Sequence, residues 1–571
     1  MKRITRLLAI VLLLLLLTAA WLWWNSPRRV DMAAYVPADS LVYLEANSLA
    51  DIARALMATD AWRNLGPVIG IKSDTRRNDW LTSFARVTGI GSTQSVIAAR
   101  SQVALVVLDV NSTDTEGTVK PLAALVVETH TSATRIKPTI EQLVGDFARR
   151  AYGQASIERV TKDQGDFVKW ISPDGKRQII VSIDGSVAIV GNNEQAVSAC
   201  LAVHRGQKPS LATQPGIQEM RQRVRARDAL AFGYVSSANA GRLLPELAPF
   251  LLLNRLPDIV KRCIAMSAPR ILGSIGWTSH AFAGGIEDVY AISLKPDTLL
   301  RLRPAFQSTP SRQLEAAWEF LPVETSSVTH YNFAAPFAVW GAMNATISSA
   351  QLDVLCAIGF KELSNDALIP YGIDAPESFL RAIKPVLLTA KLDADSARSI
   401  VIAGVADENA LKEFVSRTFG KKLHIEKFAN QELLISEDDQ AAACFVDGYF
   451  LLGSPEDIRR CLSGLASRKT SSSSAAGWSS LADRNISEGA SDVVTYAQDR
   501  ERIRGMVTTI AKLRGRDSSV ISSEEVERVI KALPYAVTET KIEEYGLERK
   551  TRSPLGQFST FVSLLTPEQT R

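Results

Sequence analysis

Cysteine is scarce in this chain and is placed in no recognisable pattern. The 571 residues contain five cysteines, an odd number with wide spacings and without a Cys-x-x-Cys motif. A disulfide scaffold is therefore not indicated, and we expect most of them to act as small buried apolar groups. Only Cys444 and Cys461 lie close enough in sequence to be suspected of bridging. The five are Cys200, Cys263, Cys356, Cys444 and Cys461.

Histidine is equally sparse, and the usual catalytic signatures are missing. None of the five histidines lies within four residues of another, and no His-Glu-x-x-His motif occurs, so a helical zinc site is not indicated. Gly-x-Ser-x-Gly, Ser-x-x-Lys, the Walker loop and Gly-x-Gly-x-x-Gly are absent as well. We predict no catalytic, cofactor-binding or metal-binding residues, although a site assembled from distant residues stays open. The histidines are His130, His204, His280, His330 and His424.

The chain also lacks a strong charge of one sign. The sequence contains 65 basic and 61 acidic residues, for a formal net charge of +4, and residues of the two signs are interleaved. This excess is too small for a nucleic-acid-binding surface, so nucleic acid is excluded as a partner. The length is too great for one hydrophobic core and predicts two to four domains.

A long apolar run is present at the N-terminus. Leu7 to Trp24 is about 18 residues without a charge, which as a helix spans roughly 27 Å, close to the hydrocarbon thickness of a bilayer. Basic residues precede it, and the tryptophans at its end suit a membrane interface. We therefore predict that residues 1–30 form a cytoplasmic basic tip and a signal-anchor helix. The chain would cross the cytoplasmic membrane once, with its bulk in the periplasm. The alternative is a cleaved signal peptide with Thr18 and Ala20 before the cut.

The exported part contains two similar stretches in the same order. YVPADSLVYLEAN, from Tyr35, aligns at a constant offset with FLPVETSSVTHYN, from Phe320. In each copy an amphipathic helix is followed by apolar runs that flank an Asp-Gly turn, Asp184-Gly185 and Asp447-Gly448, as in a β-hairpin.

Hairpin connections favour antiparallel sheets. We predict an α+β fold: an N-terminal transmembrane helix followed by two tandem pseudo-repeats with mainly antiparallel sheets. The first repeat would occupy residues 31–300, and the second would occupy residues 301–571.

Three segments resemble a known group of proteins. The opening VPADSLVYLEAN, the segment DGYFLLGSPEDI and the closing EEYGLERKTRSPLGQF are similar to an uncharacterised family of bacterial membrane-anchored envelope proteins that share a domain of unknown function. The resemblance covers nearly all of the exported part. It implies export, and it brings no activity or site residues.

Three weak features could carry chemistry. The oxygen-rich segment DVNSTDTEG could hold calcium, but it lacks EF-hand spacing, so a solvated hairpin loop is favoured. Asp393 and Asp395 could act as acid and base, but a turn and helix cap is favoured. Four tryptophans could line a groove, although scattered aromatic residues are more often core. The calcium candidates are Asp109, Asn111, Asp114 and Glu116, and the tryptophans are Trp170, Trp277, Trp318 and Trp340.

Together these patterns predict a non-catalytic, membrane-anchored extracytoplasmic binding or scaffold protein. Its partners would be the membrane, through the N-terminal helix, and an envelope protein or an apolar ligand. Two alternatives stay open: an envelope hydrolase with a site assembled from distant residues, and a carrier of lipids or other apolar ligands.

Overall fold

The computed structural model describes residues 29–69, 91, 97–112, 119–162, 165–247, 258–306, 313–322, 324–350, 368–395, 399–420, 422–470, 491–513 and 524–564. These residues contain 20 strands, and every register resolved between them is antiparallel. The strands are β1 (Val42–Ala46), β2 (Gln102–Ser112), β3 (Val119–Glu128), β4 (Ser156–Lys162), β5 (Gly165–Ile171), β6 (Gln178–Asp184), β7 (Val187–Gly191), β8 (Ala231–Val235), β9 (Leu272–Phe282), β10 (Gly285–Leu294), β11 (Ser327–Tyr331), β12 (Ile383–Lys391), β13 (Ile400–Val405), β14 (His424–Phe428), β15 (Gln431–Ile435), β16 (Ala442–Val446), β17 (Tyr449–Gly453), β18 (Val493–Ala497), β19 (Ala536–Glu543) and β20 (Gly546–Ser553).

Helices are interspersed with these strands. They are α1 (Leu49–Ala58), α2 (Asp60–Val68), α3 (Ala133–Tyr152), α4 (Glu194–His204), α5 (Pro215–Arg223), α6 (Ser237–Leu247), α7 (Asp258–Ile271), α8 (Pro296–Leu302), α9 (Gln313–Trp318), α10 (Pro336–Ser349), α11 (Pro376–Ala382), α12 (Glu408–Thr418), α13 (Pro455–Thr470), α14 (Arg500–Leu513), α15 (Glu524–Lys531) and α16 (Phe558–Leu564).

The predicted fold class, an N-terminal transmembrane helix followed by two tandem pseudo-repeats, requires correction. Across the described ranges, no helix is both long and apolar enough to cross a membrane. The longest, α3, has 20 residues but is amphipathic, with basic residues in its last turn and a narrow buried stripe. The apolar run Leu7 to Trp24, on which the transmembrane helix was predicted, lies outside the described residues.

The chain divides into two compact units, and neither is one continuous half. The described part of unit 1 is 29–52, 91, 97–109, 121–162 and 165–214. Unit 2 takes the remaining described residues, most of them after 214. These units are defined by compactness, and they cut across the predicted segments 31–300 and 301–571.

Unit 1 is an antiparallel sheet with strand order β1-β2-β3-β7-β6-β5-β4. Helix α3 packs on it because Ile136 and Ile140, one turn apart, bury one stripe against Trp170 and Val181. The helix ends at Gly153, whose positive φ of 72° is readily adopted only by glycine.

Unit 2 has strand order β8-β9-β10-β20-β19-β18-β11-β12-β13-β17-β16-β15-β14. Its central strands are buried on both faces, so β13 is an almost continuous apolar run. On β13, Ile402 packs into a core with α13, while Val401 and Ala403 pack into a second core with α12. Seven of these strands, in the order β11-β12-β13-β17-β16-β15-β14, pair in the same relative order as the seven strands of unit 1.

The two Asp-Gly dipeptides occupy different positions at their hairpin turns. Asp447 and Gly448 are the two central residues between β16 and β17, with φ of 50° and 80°, as in a type I′ turn. Asp184 instead ends β6, so the central pair between β6 and β7 is Gly185-Ser186, with φ of 61° at the glycine. The dipeptide is therefore shifted by one residue between the two hairpins.

Candidate functional site

The predicted calcium-binding segment lies only partly in the described chain. Asp109 is in β2 and is half-buried, and Asn111 belongs to the same strand. Asp114 and Glu116 lie outside the described residues. Within the described ranges, no group of three or more histidine, cysteine, aspartate or glutamate side chains could hold a metal ion.

The Asp393 and Asp395 pair is exposed in the turn after β12. Arg460, on α13, donates to Asp393 Oδ2 at 2.6 Å and lies 3.5 Å from Oδ1. The carboxylate of Asp393 is therefore oriented by an ion pair. This geometry suits a surface contact between the turn and α13 better than general acid or base chemistry.

The four tryptophans and most of the described cysteines belong to the core. Trp170 and Trp318 are 4% and 2% exposed within core clusters, and Trp277 is 7% exposed, while Trp340 packs against a core cluster in unit 2. Cys200, Cys444 and Cys461 are buried free thiols, so Cys444 and Cys461 do not bridge.

Cys263 is the exception among the cysteines, since it is disulfide-bonded, and its partner sulfur lies outside the described residues. It is buried, at 2% exposure, in α7.

A buried polar cluster brings distant residues of unit 1 together. Glu128, at the end of β3, accepts hydrogen bonds from the Tyr35 hydroxyl at 3.2 Å and from the His130 backbone N–H at 2.7 Å. The His130 ring lies 3.2 Å from Gln102 Oε1. His130 has a left-handed backbone with φ of 52°, which is unusual for a non-glycine residue. The ring of His204 stacks edge-on against Tyr35 at 5.2 Å.

The contacts of this cluster indicate a structural role. Gln102 pairs with both backbone groups of Val30, accepting from its N–H at 2.8 Å and donating to its carbonyl at 2.9 Å. Burial and the neighbouring Glu128 raise the pKa of Tyr35 to about 12, which keeps its hydroxyl a donor at neutral pH. The cluster therefore fixes the chain at Val30 against the ends of β2 and β3.

A second group of polar residues lines a cleft of about 220 Å³ on one sheet face of unit 2. Its floor comes from three neighbouring strands, β9, β10 and β20, and its wall comes from the turn after α5. Three basic side chains converge with two carboxylates, a histidine and two valines. The lining residues are Arg223, Val224, Arg225, His280, Glu287, Val289, Glu548 and Lys550.

Arg223 is the most firmly positioned cation of the cleft. Its guanidinium donates to Glu219 at 2.6 Å and to Ser293 at 2.7 Å, and it stacks 4.3 Å from the ring centroid of Tyr545. Two hydrogen bonds and a stacked ring hold the planar group in one orientation before any ligand arrives. Its neighbour Arg225 is exposed and has a left-handed backbone with φ of 54°.

The carboxylates of the floor are also oriented. Arg552 donates to Glu287 at 2.8 Å, and the Tyr545 hydroxyl donates to Glu548 at 3.0 Å. Lys550 Nζ lies 3.9 Å from Glu548. The floor thus carries charged groups of both signs, which suits a polar ligand better than a lipid chain.

The position of the cleft wall depends on a glycine in β9. A Cβ on Gly276 would lie 2.4 Å from Met220 of α5, so only glycine allows this helix so close to the strand. With α5 this close to the sheet, the turn at Val224 lies over β9. The Val224 carbonyl accepts a hydrogen bond from the Thr278 hydroxyl at 2.9 Å.

The cleft was not predicted from the sequence, although one signal for it was present. In GLERKTR the charged residues Glu548, Lys550 and Arg552 recur at every second position, which places all three on one face of a strand. Their partners on β9, β10 and α5 are distant in sequence, and only the fold brings them together.

Comparisons with known proteins give little beyond this geometry. No protein-family model and no curated protein matches the chain. Among solved structures, the chain is similar to one titled "Structure of crystal form III of TP0453", with 14% sequence identity and a TM-score of 0.25. The match covers 49% of this chain and 90% of that one.

Proposed function

We propose that this chain is a non-catalytic extracytoplasmic binding protein, and that its ligand site is the cleft in unit 2. The observation that carries the proposal is the convergence of Arg223, Arg225 and Lys550 on one small cleft. Charge-assisted hydrogen bonds from oriented guanidinium groups bind carboxylates and phosphates well. The ligand is therefore a small polar molecule or peptide end that carries an anionic group.

The disulfide bond at Cys263 supports the proposed extracytoplasmic location. Disulfide bonds persist in oxidising environments such as the periplasm and are rare in the cytosol. Membrane attachment through the N-terminal run concerns residues outside the described part and stays a prediction. The apolar-ligand alternative gains no support from a cleft whose lining is mainly charged.

Ligand binding is tested on the purified full-length chain by calorimetry and thermal shift. The probes are inorganic phosphate, glutamate and an acidic dipeptide. We expect at least one probe to bind and Arg225→Gln to weaken it about tenfold, as loss of one charge-assisted contact does. The matched control is Arg227→Gln, an exposed arginine on the same segment that does not line the cleft. Absence of binding by every probe, or binding that Arg225→Gln leaves unchanged, would refute the proposal.

The compartment is tested separately by quenching cells with acid and alkylating free thiols under denaturing conditions, so that the burial of Cys263 does not itself protect it. We expect Cys263 to be protected from alkylation until a reductant is added. A fully alkylated Cys263 in untreated cells would contradict an oxidising location.

A further inference from the structure

Both units carry a free strand at one end of their strand order. Among the described strands, β4 pairs with β5 alone and β14 pairs with β15 alone. Each strand leaves a row of backbone N–H and carbonyl groups available to another chain. Each also exposes a large apolar residue at its second position: Ile157 is 62% exposed, and Ile425 is 58% exposed.

The two edges carry the same order of side-chain types. Residues 157–160 read Ile-Glu-Arg-Val, and residues 425–428 read Ile-Glu-Lys-Phe. Each segment reads apolar, acidic, basic, apolar. When the two run in opposite directions, apolar residues therefore lie opposite apolar residues, and acids lie opposite bases. Antiparallel pairing would place Ile157 opposite Phe428 and Val160 opposite Ile425. It would also place Glu158 opposite Lys427 and Arg159 opposite Glu426.

Pairing of β4 with β14 matches the side-chain charges better than pairing of two copies of the same strand through this motif. Two copies of β4 related by a two-fold axis at either central residue of the motif would set Glu158 opposite Glu158, or Arg159 opposite Arg159. Like charges directly opposite each other on neighbouring strands are destabilising, whereas opposite charges and apolar pairs stabilise.

We propose that the partner of these edges is a second copy of this chain, with β4 of one copy pairing antiparallel with β14 of the next. The gain comes from backbone hydrogen bonds along both strands and from covering Ile157 and Ile425. Because β4 and β14 are different surfaces, the contact is heterologous and continues into a ring or a filament. None of these residues lines the cleft, so this inference is independent of the proposed ligand site.

Glu158 and Lys427 are the residues to exchange. Arg159 and Glu426 already form ion pairs within the chain, with Glu141 at 2.7 Å and with Arg459 at 2.6 Å. No ion pair in the described part involves Glu158 or Lys427, so reversing their charge disturbs the folded chain least. Circular dichroism and the melting temperature verify that each variant is folded.

The test measures the mass of the full-length chain by sedimentation and light scattering over a range of concentrations. We expect the unmodified chain to associate, and Glu158→Lys and Lys427→Glu each to be monomeric, since each single reversal sets like charges opposite each other. An equimolar mixture of the two variants should associate again, because opposite charges then meet at every contact. The double variant Glu158→Lys/Lys427→Glu should associate by itself.

The control reversal is Glu525→Lys, on the exposed side of α15, which should behave as the unmodified chain does. A chain that is monomeric at every concentration overturns the inference. So does association that survives each single reversal, or two monomeric variants that fail to associate when mixed.

Discussion

The indole Nε1 of Trp277 donates a hydrogen bond to Asp288 Oδ1 at 3.1 Å, deep in unit 2. The other oxygen, Oδ2, accepts from the Gln557 backbone N–H at 2.9 Å, and Asp288 is only 1% exposed. Burial raises the pKa of Asp288 to about 6, although these hydrogen bonds partly offset the effect. The carboxyl group thus ties the β9-β10 hairpin to the segment before α16.

Replacement of Asp288 should change how the free energy of unfolding depends on pH. The pKa is higher in the folded chain than in the unfolded chain, so the stabilisation is complete below about pH 3.8 and is lost as the pH rises through 6. A shift of this size corresponds to roughly 3 kcal/mol. Asp288→Asn keeps an acceptor but cannot titrate, and its stability relative to the unmodified chain should rise across this window. Urea unfolding from pH 4 to pH 7.5 measures the difference, and a constant difference would contradict the assignment.

His330 should give a pH dependence of opposite sign. It is 5% exposed on β11, and burial lowers its pKa to about 4. Its folded pKa is below the unfolded value, so the stabilisation is present above about pH 6.5 and is lost as the pH falls through 4, by roughly 3 kcal/mol. His330→Gln should remove this loss on acidification. Because Asp288 and His330 act in opposite directions over nearly the same range, the unmodified chain should show a flatter profile than either variant. Profiles of equal slope in all three proteins would count against both assignments.

Replacing each of two glycines by alanine should change the free energy of unfolding in opposite directions. Gly448 has a φ of 80° in the turn between β16 and β17, so Gly448→Ala should lower the unfolding free energy by about 1 kcal/mol. Gly464 lies within α13, where a Cβ would meet nothing within 4 Å, so Gly464→Ala should raise it by up to about 1 kcal/mol. Chemical denaturation of both variants measures the contrast. Equal changes of the same sign would show that the backbone conformation at these glycines does not determine the effect of alanine on stability.

The aspartates singled out by sequence should be dispensable. Asp393 is 62% exposed at its side chain in its pair with Arg460, and exposed pairs contribute at most about 1 kcal/mol. Asp393→Ala and Asp395→Ala should therefore leave ligand binding unchanged and should lower stability only slightly. His130→Ala should cost more stability than either, because its ring contacts the buried Gln102. Loss of ligand binding in an Asp393→Ala chain with an unaltered melting temperature would contradict this expectation and would give the turn after β12 a role in binding.

The disulfide partner of Cys263 can be identified by counting thiols. Three of the five cysteines are free, and Cys263 is bonded. We expect Cys356 to be its partner, since it is the one cysteine that remains in the sequence. Alkylation of the denatured, unreduced chain should label three thiols, and Cys263→Ser should raise this number to four. Five labelled thiols in the unmodified chain would contradict an intact disulfide.

The sequence by itself determined the local elements. The apolar stripe of Ile140, Leu143, Val144 and Phe147 predicted α3, and the apolar runs around Asp447-Gly448 predicted the β16-β17 hairpin, because these signals depend only on residues close in the chain. It did not determine the fold class correctly. The position of Asp184 outside its turn was also missed, since strand register depends on pairing with a neighbouring strand.

Only the tertiary structure decided where chemistry is possible. Arg223 and Glu548 are more than 300 residues apart in the sequence, and they meet because β10 pairs with β20 and Gly276 lets α5 approach β9. The exposure of Ile157 and Ile425 was likewise invisible in the sequence. Whether a strand is central or free depends on which strands pair beside it, and that is settled only when distant parts of the chain come together.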